Sequence, residues 1–243
     1  MVILSQQMKT STAILLFTRR EKDEIRSKSL HPTPKVIRYF QNRTRNLISK
    51  TNLPVFEKVD MEPTQGPIEV RFFLAIKEVF DQGFENVIVV GNDCPQLKSA
   101  DLTLANELLL SRDLVIGPDS HGGAYLIGIS KKIFHKDWLV NLPWHTNRFC
   151  EVLSSVSENA AHLEQLSDIN RREDFVEVLK TKIRRSILLP LLHLLGQIFL
   201  PAVWSFSCKP RLLVANLPLR APPLPTKFLH CPSNYLFTEP AGS

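Results

Sequence analysis

The chain has only four cysteines, Cys94, Cys150, Cys208 and Cys231, and no two stand at C-x-x-C spacing. That excludes a zinc knuckle and gives no sign of a disulfide framework. Long blocks of lysine and arginine are also missing. The basic groups around residues 19–28 and 171–185 are short, and no RNA- or DNA-binding signature accompanies them, so no nucleic-acid partner is expected. The first residues lack the charged, apolar and small-residue regions of a secretory leader, and the simplest expectation is a reducing, cytoplasmic compartment. No internal repeat is evident. Apolar residues, by contrast, make up 44% of the 243 residues, enough for a substantial core in one domain plus an appendage. The net charge of +6 is spread along the chain and suits an anionic partner such as a nucleotide phosphate.

The apolar residues fall into two periods. Short runs at 12–18, 54–59, 86–90, 114–116 and 124–129 have the length and the β-branched content of buried strands. Between them, Val36, Ile37, Phe40 and Leu47 recur at helical spacing behind Thr33 and Pro34, a cap and a first-turn proline. Val70, Phe73, Leu74 and Phe80 do so ahead of Gly83, placed as a C-terminal cap. Ser99 is expected to cap a helix over 100–110, with Asp101 in its first turn. A last unit is expected from a strand at 163–166 and a helix around 175–179, with Asn170 as N-cap and Glu173 as its reciprocal partner. Strands alternating with helices of this length imply βαβ units, a mainly parallel sheet, and ligand-binding loops at the strand C-termini.

Asp93 stands in one such loop, Gly91-Asn92-Asp93-Cys94-Pro95, directly after a buried strand. Mg²⁺ or Mn²⁺ takes hard oxygen ligands, commonly one or two carboxylates with diphosphate oxygens and water. Taken alone, an Asp after a strand is more often a turn or capping residue. A second loop follows one helical crossover later: Gly117-Pro118, a polar tip, then Gly122-Gly123. The glycine pair permits positive φ and close approach of a ligand, or simply a tight hairpin turn. The two loops together at one sheet edge say more than either does.

These residues carry a family resemblance. Residues 91–95, with Gly117-Pro118 and 122–128 (GGAYLIG), resemble the GxDCP…GPxxDGGYYLIG pattern of domain of unknown function 2064 (DUF2064). That family is glycosyltransferase-A-like, of the selenodomain-associated transferase type, and related to small-molecule nucleotidyltransferases. The resemblance runs from residue 12 to about 179. Gln65-Gly66 and Arg71 resemble its QG…GER segment, Trp144 and Thr146 its W-x-T element, and Asp168-Ile169-Asn170 with Glu173-Asp174 its DIDT-x-ED closing motif. The resemblance implies an α/β fold: a Rossmann-like GT-A three-layer α/β/α sandwich with a mixed, mainly parallel sheet. It implies a nucleotide or nucleotide-sugar bound near Arg19, Gln65, Gly66, Arg71, Gly91 and Asn92. Asp93 would hold Mg or Mn against the diphosphate, with Asp119 as a second carboxylate. Asp93 and His121 would be the catalytic pair. Gly122, Gly123, Tyr125, Trp144 and Thr146 would face a small-molecule or lipid acceptor.

The chain departs from the family pattern at its loops. Where the family's first loop resembles FAKxPxxGxVKTRL, residues 17–30 read FTRREKDEIRSKSL: Arg19 can replace the first Lys, but the Pro and Gly are gone and Ser29 replaces the later Arg. The Asp of DGG is His121, for which hydrogen bonding is expected ahead of metal ligation. Cys94 is expected to be a buried thiol. Three functions remain open: a metal-dependent glycosyltransferase using a nucleotide-sugar donor, a nucleotidyltransferase of small phosphorylated acceptors, and a non-catalytic nucleotide-binding or scaffold protein. The missing glycine-rich cradle at 19–29 favours the first over the second.

Residues 1–183 are assigned to the GT-A-like domain and 184–243 to an apolar segment and proline-rich tail. Residues 187–206 contain no Asp, Glu, Lys or Arg but are interrupted by Pro190, His193, Gly196, Gln197 and Pro201. Packing or self-association is ranked first for this segment, attachment to a membrane surface second and a full span third.

Overall fold

The computed structural model describes residues 11–28, 33–60, 66–171 and 173–174. The strands are β1 (Thr12–Arg19), β2 (Val55–Asp60), β3 (Asn86–Val90), β4 (Leu114–Pro118), β5 (Ala124–Ser130) and β6 (Ala160–His162). The helices are α1 (Glu21–Ser27), α2 (Pro34–Ile48), α3 (Ile68–Asp81), α4 (Ser99–Leu108), α5 (Lys136–Val140) and α6 (Phe149–Ser154). The strands form one sheet in the order β2-β1-β3-β5-β4-β6, in which β5 alone runs antiparallel to its neighbours.

Alternation along each strand makes the three layers. Ala13, Leu15, Val87, Val89, Leu114, Ile116, Ile127 and Ile129 point to one face, where Phe72, Ala75, Ile76, Val79 and Phe80 of α3 cover them with residues of α5 and α6. Ile14, Leu16, Ile88, Val90, Val115 and Leu126 point to the other, against Ile48 of α2 and Leu102 and Ala105 of α4. Both faces are dry over the inner strands, which read as continuous apolar runs, whereas β2, expected to be buried, is an edge strand with Val55 and Val59 exposed.

The strand order sets the location of the site. From β1 the chain crosses to β2 on one side, and from β3 it moves away to β4 on the other. Such a reversal leaves a crevice outside the carboxyl ends of the two adjacent strands, here β1 and β3.

The helix and strand predictions hold for the main elements, with corrections at the ends. Residues 20–28 are not a bare loop. Arg20 starts a helix whose first turn carries Glu21, Asp23 and Glu24, favourable at the positive end of the helix dipole. Ser99 is the first residue of α4, and Lys98 is the cap, its N–H donating to the Asp101 carboxylate at 2.8 Å. The strand expected at 163–166 forms three residues earlier, at β6, and Leu166 makes only an isolated bridge to Asp119. Leu163 and Leu166 are both buried at a spacing of three, which extended alternation does not allow. Asn170 is capped by Asp174, not Glu173: Asp174 Oδ2 accepts the N–H groups of Asn170 and Arg171 at 2.9 and 2.7 Å. The helix expected at 175–179, the boundary at 184 and the segment 187–206 lie outside the described residues. No helix among the described residues is long and apolar enough to cross a membrane.

Core position separates large from small effects here. Ile88, fully buried in β3, should lose about 2–5 kcal/mol on replacement by Ala, while Leu104, 45% exposed on α4, should change by less than about 1 kcal/mol. Urea unfolding of the two variants measures this, and equal losses would contradict the layer assignment.

Candidate functional site

The crevice between β1 and β3 is built around a buried ammonium group. Lys28, just past α1, lies 2.9 Å from Asp93 Oδ1 and 3.8 Å from Glu24 Oε1. It donates to the carbonyl of Ile169 at 2.9 Å and to Asn170 Oδ1 at 3.3 Å. Its side chain is only 6% exposed. Two hydrogen-bond acceptors and two nearby carboxylates surround the ammonium, as a buried lysine needs. Glu24 is itself buried and accepts from Asn92 Nδ2 at 3.1 and 3.2 Å. Burial first, then the charge of Asp93, pushes its carboxyl up to about 8, against the downward pull of Lys28 and Asn92.

A third carboxylate completes the group. Asp168 is held well above the usual carboxylate range, by burial first and then by the negative charges of Asp93, Asp119 and Asp174, with Lys28 opposing. Asp93 Oδ1 and Asp168 Oδ1 are both buried without a hydrogen-bond partner among the described residues. Asp93 meets Lys28 as an ion pair rather than through a directed hydrogen bond. Two buried oxygens in this state fit a hard divalent cation that takes one or two carboxylates and completes its shell with phosphate and water. Among the described residues, no group of three acidic, His or Cys side chains is assembled to hold a metal by itself.

Residues 163–170 form a strap across the strand ends. Leu163 and Leu166 N–H donate to the carbonyls of Ile116 and Pro118, and Tyr125 Oη donates to Glu164 O at 2.9 Å. Ser167 N–H reaches Gln96 Oε1 at 2.7 Å, and Ile169 N–H reaches the Asp93 carbonyl at 3.0 Å. Arg43 of α2 fastens the β3 loop from the other side through Leu97 O at 2.6 Å.

The residues singled out in the sequence divide into three groups. Asn92 and Asp93 lie in the cluster, with Gly91 exposed beside them. In the second loop, Asp119 Oδ1 accepts the N–H groups of His121 and Gly123 at 2.6 and 2.9 Å, so it holds the turn. His121 Nε2 lies 2.7 Å from Asp174 Oδ1. Gly122 has φ +84°, and a Cβ there would collide with the Asn147 carbonyl. The remaining side chains do structural work. Arg71 is buried in a two-pronged ion pair with Asp60, at 2.5 and 3.0 Å, and also holds the Gly66 carbonyl. Tyr125 is buried, Trp144 packs edge-on to Phe72 and donates to Leu139 O, and Thr146 caps a turn at Pro143 O. Arg19 ends β1. Gln65 lies outside the described residues. Burial drives the Cys94 thiol far up, as expected of an inert core residue.

Sequence reasoning does not single out Glu24 or Lys28, because 19–28 carries only a short run of mixed charge with no motif to mark it. Their spacing, acid four residues ahead of base, was the available signal.

The six-stranded mixed sheet with helices on both faces has the fold of nucleotide-diphospho-sugar-transferase-like structures. The family model described as an uncharacterized protein conserved in bacteria (DUF2064) matches residues 28–146. It includes both central loops but neither α1 nor the closing strap. A candidate nucleotide-diphospho-sugar transferase from Desulfovibrio desulfuricans G20 shares the fold, with a TM-score of 0.62 at 19% identity over 77% of this chain and 98% of that one. Rv0371c from Mycobacterium tuberculosis H37Rv is more distant, with a TM-score of 0.43 at 14% identity over 70% and 98%. Its manganese complex gives 0.38 at the same identity and coverage. Among curated proteins none matches this chain.

Two outcomes follow from the charges. The folded value of Glu24 lies above the ordinary 4.5, so the native chain holds a proton that the unfolded chain has lost between pH 4.5 and about 8. The stability tied to Glu24 is complete below that window and falls as pH rises through it, and Asp168 acts in the same direction. Glu24→Gln should therefore flatten the decline in denaturation experiments between pH 5 and 8; profiles parallel to the parent would contradict it. Asp60→Asn should destabilise by about 3–5 kcal/mol by stranding the Arg71 guanidinium. Denaturant titration checks this, and a loss under 1 kcal/mol would instead leave Arg71 available to a ligand.

Proposed function

We propose that the chain is a glycosyltransferase that binds a nucleotide-diphosphate sugar in the crevice between β1 and β3. The observation carrying this is the Lys28 ammonium, buried at the topological switch point beside Asp93 and Asp168, each with an oxygen that accepts no hydrogen bond among the described residues. Such a site offers a diphosphate one fixed cation and two carboxylates able to share a second. Asp93 and Asp168 would hold Mg or Mn, which when bound supplies positive charge to the leaving diphosphate. Asp168 takes the second ligand position in preference to Asp119, whose Oδ1 is committed to two backbone N–H groups.

Lys28 holds the phosphate end in place and excludes water from it, and the strap closes over the same end. The acceptor approaches from the second loop, around His121 and Gly123. Its oxygen bonds to the anomeric carbon as the bond to the diphosphate breaks. The glycosyl reading is favoured over nucleotidyl transfer by the first loop, which contains no glycine and folds as α1 where a phosphate cradle would lie.

Thermal unfolding with UDP-glucose, GDP-mannose and dTDP-glucose, each with and without Mn²⁺, tests the proposal. At a concentration about a hundredfold above Kd, binding adds about 2.7 kcal/mol, and a chain of this size should gain roughly 5–10 °C in Tm. Asp93→Asn should remove the part of the gain that needs Mn²⁺. No shift with any of the three would overturn the donor assignment in favour of a non-catalytic role. A metal response untouched in Asp93→Asn would remove Asp93 from the cation site.

A further inference from the structure

Resting on the transferase reading above, we propose that His121 and Asp174 form a catalytic dyad in which His121 Nδ1 takes the proton from the acceptor hydroxyl. The pairing joins two segments far apart in sequence, the tip of the β4–β5 loop and the residues just past the strap. His121 Nε2 lies 2.7 Å from Asp174 Oδ1, the imidazole is 43% exposed and the carboxylate only 4%. Asp174 Oδ2 already accepts the N–H groups of Asn170 and Arg171. A carboxylate held in this way accepts from the ring, which places the imidazole proton on Nε2 and leaves the Nδ1 lone pair free. Nδ1 has no hydrogen bond to any described residue.

The mounting of His121 is rigid as well as polarised. Its own N–H is fixed to Asp119 Oδ1. The next residue takes φ +84°, and the carbonyls of Gly122 and Gly123 are held by the Cys150 N–H at 2.9 Å and the Cys150 thiol at 2.7 Å. A base with few accessible orientations is what proton abstraction in a bound complex requires. Asp174 also belongs to the charge cluster of Asp168, Asp93 and Lys28, which puts the dyad beside the proposed diphosphate site.

The other imidazole pair among the described residues lacks these features. His162 Nε2 meets Ser154 Oγ at 2.8 Å, but the contact is exposed and the Ser154 hydroxyl donates to Cys150 O at 2.7 Å. No carboxylate among the described residues orients that ring.

In the step proposed, the acceptor O–H bond breaks and its proton passes to Nδ1, giving an imidazolium stabilised by Asp174. The oxygen forms the new bond to the anomeric carbon. The electron pair of the old carbon–oxygen bond leaves with the nucleoside diphosphate. The imidazolium then returns its proton to water.

The test uses the full chain, with water as acceptor and release of nucleoside diphosphate from UDP-glucose, GDP-mannose and dTDP-glucose as the readout. His121→Gln should lower kcat about a hundredfold to ten-thousandfold with KM for the donor within about twofold. His121→Gly should regain turnover when free imidazole is added, a response that a merely structural histidine would not give. Independently of turnover, nitrogen NMR of the free protein should find the neutral His121 ring protonated at Nε2, and Asp174→Asn should abolish that preference. Unchanged kcat in His121→Gln, no rescue by imidazole, or a proton on Nδ1 would each overturn the dyad while leaving the transferase reading intact. A parent protein that releases nucleotide from none of the three donors would overturn both.

Discussion

The site depends on one buried cation. Moving an ammonium group out of water costs several kcal/mol, and the cost is offset only when opposite charge and hydrogen-bond acceptors surround it. Lys28 finds them on three separate pieces of chain: Glu24 on its own helix, Asp93 in the β3 loop, and Ile169 with Asn170 on the strap. The same contacts that satisfy the lysine therefore hold together the walls of the crevice. Without the ammonium, Asp93, Asp168 and Glu24 would face one another with no compensating charge. Burial already drives Glu24 and Asp168 toward their neutral forms, so the balance between protons and cations is close.

A ligand anion entering this crevice meets an ammonium that already has a carboxylate partner. Under the proposed function, binding would be an exchange, in which phosphate oxygens replace Asp93 at Lys28 and Asp93 is released toward a metal. Exchange of partners avoids leaving either charge bare at any stage. The second loop would then serve the proposed acceptor side. Asp119 holds its turn from within, Cys150 holds it from outside, and His121 is presented at the tip.

The layers were legible in the sequence because period-two burial on both sides of a sheet writes itself as apolar runs, and 86–90 and 114–116 have few other readings. The loop carrying Asp93 was legible from its place after such a run. Lys28 and Glu24 were not, because charged residues near a chain bend usually face water, and the contacts that enclose Lys28 come from Asp93 and from residues as far as 142 positions away in sequence. Arg71 illustrates the converse. A basic residue beside a family motif suggested phosphate, yet Asp60, at the end of β2, meets it as a buried partner. Pairwise contacts between distant segments leave no local periodicity, so neither Asp60–Arg71 nor His121–Asp174 could be read from spacing alone.

The strap has a consequence for the order in which the molecule is completed. During synthesis the chain emerges from its N-terminus, and β1 to β5 can assemble while residues 163–170 are still inside the ribosome. Over that interval Lys28 lacks the Ile169 carbonyl and the Asn170 amide, Asp93 lacks its backbone tie to Ile169, and the ends of β4 lack Leu163 and Leu166. The nascent sheet would thus carry an open, acidic mouth until residues 163–170 emerge and seal it. Contacts of such long sequence separation carry a high loop-closure cost, so among the described residues the crevice is expected to close after β1 to β5 have paired.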